Sequence, residues 1–313
     1  MSTILSTREM PKLNPLLVDG LLKAFPDGVI ALDLETTGLS PLIDKIIEVS
    51  AVKITQGEDH IQVDYFDELI NPEIPIPEKT ISIHGITDDM VKGKPFIQEI
   101  FPKFLEWIGE LPLIAHNAKF DLGFLMYESH ESKLKTKDNT IYCSCQYARV
   151  VLPKQSCRLK DLTNKLGIKL VNHHRALDDA MASLEVFGHG ILYQSKNDQG
   201  PALKKGLLFS LAEFDKPISM AIPEHLELLE QNVMDQNILM IQYQGGSHKG
   251  KLRPIRPISL LPMPLGSILY AHCLLSDLYK FFALRKVKKV VLITEKQKKT
   301  IEERLKTLKK QPN

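Results

Sequence analysis

Residues 29–38 read V-I-A-L-D-L-E-T-T-G. Val29, Ile30, Ala31, Leu32 and Leu34 have the near-continuous apolar character of a strand covered on both faces. Two carboxylates interrupt it: Asp33 and Glu35 lie two residues apart, so in a strand their side chains leave the same face. Acids are disfavoured in strands, and a charge removed from water needs a compensating partner. This stretch therefore predicts either an edge strand with a solvated acidic face or a place where carboxylates converge on something that neutralises them. Thr37-Gly38 supplies the turn that ends it.

Working outward, Leu13–Phe25 has the apolar spacing of a short helix, and Ile46–Ile54 and Ile61–Ile70 read as two further strands, which gives an antiparallel meander. Phe96–Ile108 reads as a helix, Leu111–Ala115 as a short buried strand and Lys119–Tyr127 as another helix, so strands begin to alternate with helices and the class is α/β. After Ile141 the chain reads as mostly helical, near Cys145–Leu152, Leu159–Leu166 and Arg175–Tyr193, with the sheet complete before them. The polar, Pro- and Gly-containing stretch from Ser195 to Gly206 has a linker composition. The expected organisation is an N-terminal extension over 1–26, a first domain over 27–194, a linker over 195–217 and a second, small α+β domain over 218–313. In the second domain Pro223–Asn237 reads as helix, Ile238–Gln244 and Ile268–Leu274 as strands, and Lys296–Lys310 as a basic terminal helix.

Two more acidic pieces complement the first. L-I-A-H-N-A-K-F-D runs from the short strand through His116 and Asn117 into a helix that carries Asp121 in its first turn. Alone, that acid reads equally as a helix N-terminal charge favoured by the dipole. H-H-R-A-L-D-D offers two pairings, His173 with Asp178 or His174 with Asp179. A helical wheel favours Asp179, which lies beside Ala176, Ser183 and Val186, small or apolar positions that allow close approach to a sheet. Four carboxylates brought together form the oxygen-rich site that Mg²⁺ or Mn²⁺ prefers, and without a cation they would repel one another. Such a site suits hydrolysis of a phosphodiester, with a histidine to accept the proton of the attacking water.

D-L-E-T-T-G, H-N-A-K-F-D and H-R-A-L-D-D, in this order, resemble the motifs of the DEDDh family of 3′→5′ exonucleases, to which the proofreading subunit of bacterial DNA polymerase III and RNase T belong. The resemblance covers roughly Asp27–Tyr193 and implies an RNase H-like mixed sheet flanked by helices. It implies Asp33, Glu35, Asp121 and Asp179 as ligands of two divalent cations, Mg²⁺ or Mn²⁺. The family pattern H-x-A-x-x-D selects His174 as general base, because Ala176 then falls in place. It further implies that Thr36, Thr37, Gly38 and Leu39 line the 3′-terminal nucleotide and that His84, in I-H-G-I-T with Gly85 and Ile86, belongs to a substrate-side loop. His116, Asn117 and Phe120 match the segment beside the active site, where Phe120 reads equally as a stacking partner for a base or as a core residue. The expected activity is 3′→5′ hydrolysis of single-stranded or frayed DNA, in proofreading or repair, with a polymerase or repair complex as partner. An RNase T-like or oligoribonuclease-like RNA exonuclease, or a nucleic-acid-sensing regulator with little turnover, are the alternatives.

Beyond Ile218 the chain loosely resembles the Sm-like WYL domain of bacterial regulators, through I-Q-Y, R-P-I-R-P, L-Y-A-H-C and F-A-L-R-K-V. Ser267, Ile268 and Leu269 stand where that domain has Trp-Tyr-Leu, and Lys286 where it has Arg. Tyr243, Arg253, Tyr270, His272 and Lys286 are the positions through which a ligand would act. The formal net charge of +2 conceals an asymmetry: residues 280–313 hold 12 Lys or Arg against 3 Glu, leaving 28 basic and 35 acidic residues before them. That basic end suits phosphate contacts. Hydrophobic residues at 43% and charged residues at 25% exclude a wholly disordered chain. No run of 18 apolar residues occurs and the first residues lack a signal-peptide pattern, so no membrane partner and a cytoplasmic location are expected. Four cysteines without C-x-x-C spacing read as buried or free thiols rather than metal ligands.

Overall fold

A computed structural model describes residues 13–58, 60–169, 174–197, 202–215 and 222–308. His173, the first twelve residues and the last five lie outside the described residues, as do parts of the expected linker, of the start of the second domain and of the terminal helix. The first domain runs α1 (Pro15–Ala24), β1 (Val29–Thr36), β2 (Ile46–Gln56), β3 (Ile61–Leu69), α2 (Glu78–His84), α3 (Asp88–Val91), α4 (Ile97–Ile108), β4 (Leu113–Ala115), α5 (Lys119–Glu131), β5 (Thr140–Cys143), α6 (Ser144–Val151), α7 (Leu159–Leu166), α8 (Ala176–Lys196) and β6 (Leu207–Ser210). Its strands lie in the order β3-β2-β1-β4-β5-β6. The meander β1-β2-β3 and the β5-β6 pair are antiparallel, and β1, β4 and β5 are parallel. This is the mixed sheet of the RNase H-like exonuclease fold.

The alternation within β1 decides which helices it faces. Val29 and Ala31 pack with Leu177, Met181 and Leu184 of α8, joined by side chains of α1, α6 and α7. Ile30, Leu32 and Leu34 pack on the other face with Phe101 and Phe104 of α4 and Leu122 and Leu125 of α5. Asp33 and Glu35, in phase with Val29 and Ala31, therefore point to the α8 side. Asn14 starts α1 by accepting the Leu16 N–H at 3.1 Å ahead of Pro15, and α1 then packs along α8.

The sheet is not complete before the late helices. After α8 the chain returns as β6, antiparallel to β5 with Ile141 opposite Phe209, and continues into a 3₁₀ turn over Leu211–Asp215. Much of the segment expected as linker is thus structured: it covers the β5 edge, which would otherwise expose unpaired backbone groups. L-L-F-S is too short for a periodicity to show.

The second domain contains α9 (Leu228–Met234), β7 (Leu239–Tyr243), β8 (Leu252–Leu261), β9 (Ile268–Cys273), β10 (Leu278–Ala283), β11 (Val287–Leu292) and α10 (Glu295–Leu308). Its antiparallel sheet has the order β10-β9-β8-β7-β11. Pro254 and Pro257 disguise β8 as a loop in the sequence, since proline has no N–H for a ladder. The β8–β9 register slips between Pro257 and Ser259. The basic end is not a helix alone: Lys280 lies on β10, and Lys288 and Lys289 on β11. All four cysteines are free, and among the described residues no helix is long and apolar enough to cross a membrane.

The two domains meet where α5 crosses β8. A Cβ on Gly123 would stand 2.6 Å from Cδ2 and 3.2 Å from Cβ of the fully buried Leu261. Alanine in a helix interior is ordinarily better than glycine by about 1 kcal/mol. Here Gly123→Ala is expected to lower the melting temperature instead, and to raise it when added to Leu261→Ala; thermal unfolding of the two single variants and the double variant checks this coupling.

Candidate active site

The C-terminal end of β1 lies against the start of α8, and the first turn of α5 reaches the same place. Glu35, His174 and Asp179 each bring one ligand atom within 4.8 Å of the others. Asp121, 3% exposed, accepts the Leu34 N–H at 3.3 Å and so is fastened to the strand that carries Asp33 and Glu35. The Asp179 carboxylate accepts the His174 N–H at 3.3 Å. His174 and Asp179 adjoin Glu35; the other pairing open in the sequence involves His173, which lies outside the described residues. Asp178 is also buried, and its charge acts on Arg175.

The electrostatics are those of carboxylates held together against repulsion. Burial, then the charges of Asp121, Glu35, Asp179 and Glu48, push the Asp33 carboxyl well above the usual carboxylate range. Burial, then Glu48 and Asp179, push Glu35 up to about 8. Asp121 is likewise pushed up to about 8, by burial first, with the backbone hydrogen bonds opposing. Buried oxygen donors that repel one another in this way fit a hard divalent ion such as Mg²⁺ or Mn²⁺.

Sequence reasoning overlooked Glu48 and Arg175. Glu48 stands opposite Glu35 in the β1–β2 register, where two acids across strands repel, and it is 1% exposed. Arg175 answers it: Nε donates to Oε1 at 3.1 Å and Nη2 to Oε1 at 2.5 Å, while the Ala176 N–H at the start of α8 donates to Oε2 at 2.9 Å. The ion pair therefore ties the segment bearing His174 and Asp179 to the meander. The signal was present: an acid inside the apolar run I-I-E-V-S-A-V is as anomalous as the pair in β1.

The remaining expected residues frame this centre in different ways. Thr36 and Thr37 are buried, and the Thr36 hydroxyl donates to the Gly38 carbonyl. The Thr37 N–H donates to the Lys45 carbonyl at 2.9 Å, and the Thr37 hydroxyl accepts the Lys45 N–H at 2.9 Å, closing the loop back on itself. A Cβ on Gly38 would lie 2.3 Å from the Asp44 carboxylate, so this loop requires glycine. Leu39 is left 47% exposed beside it. His84 is buried; its Nδ1 accepts the Ile86 N–H at 3.0 Å and its Nε2 has no partner among the described residues. Burial, then the nearby His174 and Arg175, lower its pKa, which keeps the ring neutral. His116 has both ring nitrogens engaged, with the Ser144 hydroxyl at 2.8 Å and the Cys157 carbonyl at 2.9 Å, and burial lowers its pKa to about 4. It pins the turn before α5 in place. Asn117 adopts φ of 60° and His174 φ of 66°, left-handed conformations that side chains seldom take, each just before a helix that carries an acid. Phe120 is half-buried against Phe124 with ring centroids 5.2 Å apart.

Fold and acidic cluster together define a nuclease of the RNase H-like class. The family model described as Exonuclease (RNase_T) matches residues 30–187, and the chain belongs to this family, as a DEDDh 3′→5′ exonuclease. It is 40% identical over 174 residues to the PolC-type DNA polymerase III of Clostridium perfringens, across 55% of this chain and 12% of that protein. It is 41% identical over 177 residues to that of Listeria monocytogenes, across 54% and 12%. The chain thus spans about an eighth of the length of these curated relatives. Among solved structures it is similar to the nuclease domain of 3′hExo, a DEDDh family member bound to rAMP, at 21% identity and a TM-score of 0.47 over 59% of this chain and 97% of that one. It is also similar to exonuclease I of E. coli in complex with a dT13 oligonucleotide, at 14% identity and a TM-score of 0.47 over 91% and 72%.

Between the ordinary carboxylate range and about pH 8 the folded metal-free protein binds more protons at Glu35 and Asp121 than the unfolded chain does, so its stability falls as pH rises. Asp121→Asn is expected to flatten this slope, to raise the melting temperature of the metal-free protein at about pH 8, and to shrink the further rise on adding Mg²⁺; thermal unfolding with and without a chelator reads all three. Arg175→Met, which strands the buried Glu48 charge, is expected to cost about 3 kcal/mol in denaturant unfolding, whereas Arg175→Met with Glu48→Met recovers most of it.

Proposed function

We propose that the chain removes nucleotides from the 3′ end of single-stranded or frayed DNA, in proofreading or repair. In this reading Asp33, Glu35, Asp121 and Asp179 hold two divalent cations, Mg²⁺ or Mn²⁺, and His174 is the general base. The observation that carries it is the convergence of Glu35, His174 and Asp179 within 4.8 Å, beside Asp33 and Asp121, on a buried strand end with too little positive charge to balance them. When bound, the cations supply Lewis-acid polarisation of the scissile phosphate and make water a better nucleophile at neutral pH. His174, at the rim of the cluster, accepts the proton of the attacking water through its ring, while Asp179 holds its backbone. Glu48 and Arg175 are positioning residues, fixing the chain on either side of that histidine.

The substrate side is built by side chains that touch sugar and base. Leu39, exposed at the loop after β1, and Phe120, half-buried in the first turn of α5, offer apolar surface to the terminal base. Backbone groups of Thr36, Thr37 and Gly38 lie along the sugar, and His84, near His174 and Arg175 with its buried Nε2 unpartnered among the described residues, donates to the phosphate. Asn117 and His116 shape the turn between strand and helix. The relatives named as PolC-type DNA polymerase III favour DNA over RNA and a partner in replication or repair. The second antiparallel sheet is read as a WYL-like unit that guides the strand.

Purified protein with Mg²⁺ or Mn²⁺ is expected to shorten a 5′-labelled single-stranded DNA oligonucleotide stepwise from its 3′ end, faster than a matched RNA. Asp33→Ala and chelation abolish the ladder, and His174→Gln lowers the rate by roughly 10²–10⁴. Preferential degradation of the RNA would move the substrate to RNA, and an intact strand with active metal present would overturn the reading.

A further inference from the structure

A cavity of about 620 Å³ lies between the domains, bounded by the turn that leads into α5, by α6 and by the β9–β10 hairpin. Asn117 and Lys119, four and two residues before Asp121, line it. Lys119, Arg149, Arg253 and Lys280 are among the residues that line it, and none of those residues is an acid.

Arg253 is the anomaly in its wall. It is 3% exposed, and among the described residues its Nε and Nη2 have no hydrogen-bond partner. Two ring faces lie against it, with the guanidinium carbon 5.9 Å from the Tyr243 centroid and 5.5 Å from that of Phe282. A buried guanidinium without an acceptor is costly, and its planar fork matches a phosphate. The hairpin beside it carries a ladder of rings. Tyr270 stacks on Phe281 at 4.8 Å and on Tyr279 at 5.9 Å, and Tyr279 stacks on His272 at 4.9 Å. The residue pairs Tyr270–Phe281 and His272–Tyr279 face each other across the strands, so the ladder occupies the face of the hairpin opposite Phe282 and Arg253, and side chains of both faces reach the cavity. Tyr279 is nevertheless 61% exposed, and exposed aromatic surface offers contact to a base.

We propose that this cavity binds the substrate strand on the 5′ side of the 3′-terminal nucleotides, with one of its phosphates at Arg253 and one of its bases against Tyr279 where both line the cavity. This rests on the exonuclease reading above and extends it to a second strand-binding site that the acidic cluster does not contain. The charge argues for a strand passing through: the catalytic centre repels phosphates when its carboxylates are ionised, and the four cations across the cavity hold them. A free nucleotide has the same chemistry, and the experiment separates the two.

The test compares a dinucleotide with a long thymidine oligonucleotide, both 5′-labelled, in the full chain with Mg²⁺. The wild type is expected to show higher kcat/KM on the long strand, and Tyr279→Ala, a surface change, to lower the long-to-dinucleotide ratio by roughly tenfold, as loss of one stacked base would. Arg253→Met, with its melting temperature measured alongside, is expected to do the same. Binding of the labelled long strand to Asp33→Ala protein, followed by fluorescence anisotropy, is expected to weaken by a similar factor when Tyr279→Ala is added. Equal efficiency on both lengths, insensitive to Tyr279→Ala, overturns the proposal while leaving the exonuclease standing. If nothing is cut, the exonuclease reading fails, and the anisotropy still decides the cavity: Tyr279-dependent binding supports it and its absence overturns it. Thermal stabilisation by thymidine monophosphate that Arg253→Met removes, without any effect of either variant on the long strand, assigns the cavity to a free nucleotide and overturns the strand.

Discussion

Mutual repulsion of carboxylates at one strand end is the constraint around which the first domain is arranged. Asp33, Glu35 and Asp121 are held in surroundings that favour their neutral forms, with Asp179 and Glu48 close enough to worsen the repulsion. Nothing local would keep them there. What does is the pair of apolar cores on the two faces of β1, one closed by α8 and the other by α4 and α5. The burial of those faces fixes the strand, and the strand's alternation then leaves its acids no direction but toward α8. An arrangement whose electrostatic cost is met in folding need not reorganise when charge develops on a bound phosphate.

The Glu48–Arg175 pair shows how this preorganisation reaches across the chain. Its partners are 127 residues apart, and its geometry is fork-like, with the Ala176 N–H completing the carboxylate's contacts. A buried ion pair is weak evidence for stability as such, because desolvation offsets much of the attraction. Its effect here is on register. It fixes where α8 begins relative to the meander, and the start of α8 decides whether His174 and Asp179 meet Glu35. The left-handed His174 and Asn117 belong to the same design: each is a backbone conformation that tertiary contacts must hold, immediately before an element that supplies a ligand.

Much of this was legible in the sequence, for reasons that differ by element. β1 and α8 were readable because burial imposes a period on apolar residues, and the acids stood out as violations of it. The same logic applied to Glu48 would have found the third acid of the meander; it was passed over because a lone acid in a strand has a ready surface explanation. Arg175 had no signal, since its role exists only once α8 lies against β2. β6 was invisible because four residues carry no periodicity, and β8 because its prolines speak against a strand until the register slip is seen. His116 stood out by its motif, but which of its neighbours its ring nitrogens bind is a tertiary fact.

The distribution of charge gives the second domain a physical role. Residues 1–279 carry 35 acids against 28 bases, while the 34 residues after them carry an excess of nine positive charges. A centre made of carboxylates attracts cations and, until they bind, repels the phosphates it must cleave. Affinity for a polyanionic strand therefore has to come from elsewhere, and it grows with the number of phosphates neutralised. The sheet of the second domain sets Arg253 and Lys280 against the same cavity that Lys119 and Arg149 enter from the first. Lys119, two residues before Asp121, has its ammonium 5.3 Å from the Phe281 ring centroid across the domain boundary. The junction closed by Gly123 and Leu261 is thus more than a seam: by fixing α5 against β8 it sets the distance between the acidic cluster and the basic cavity.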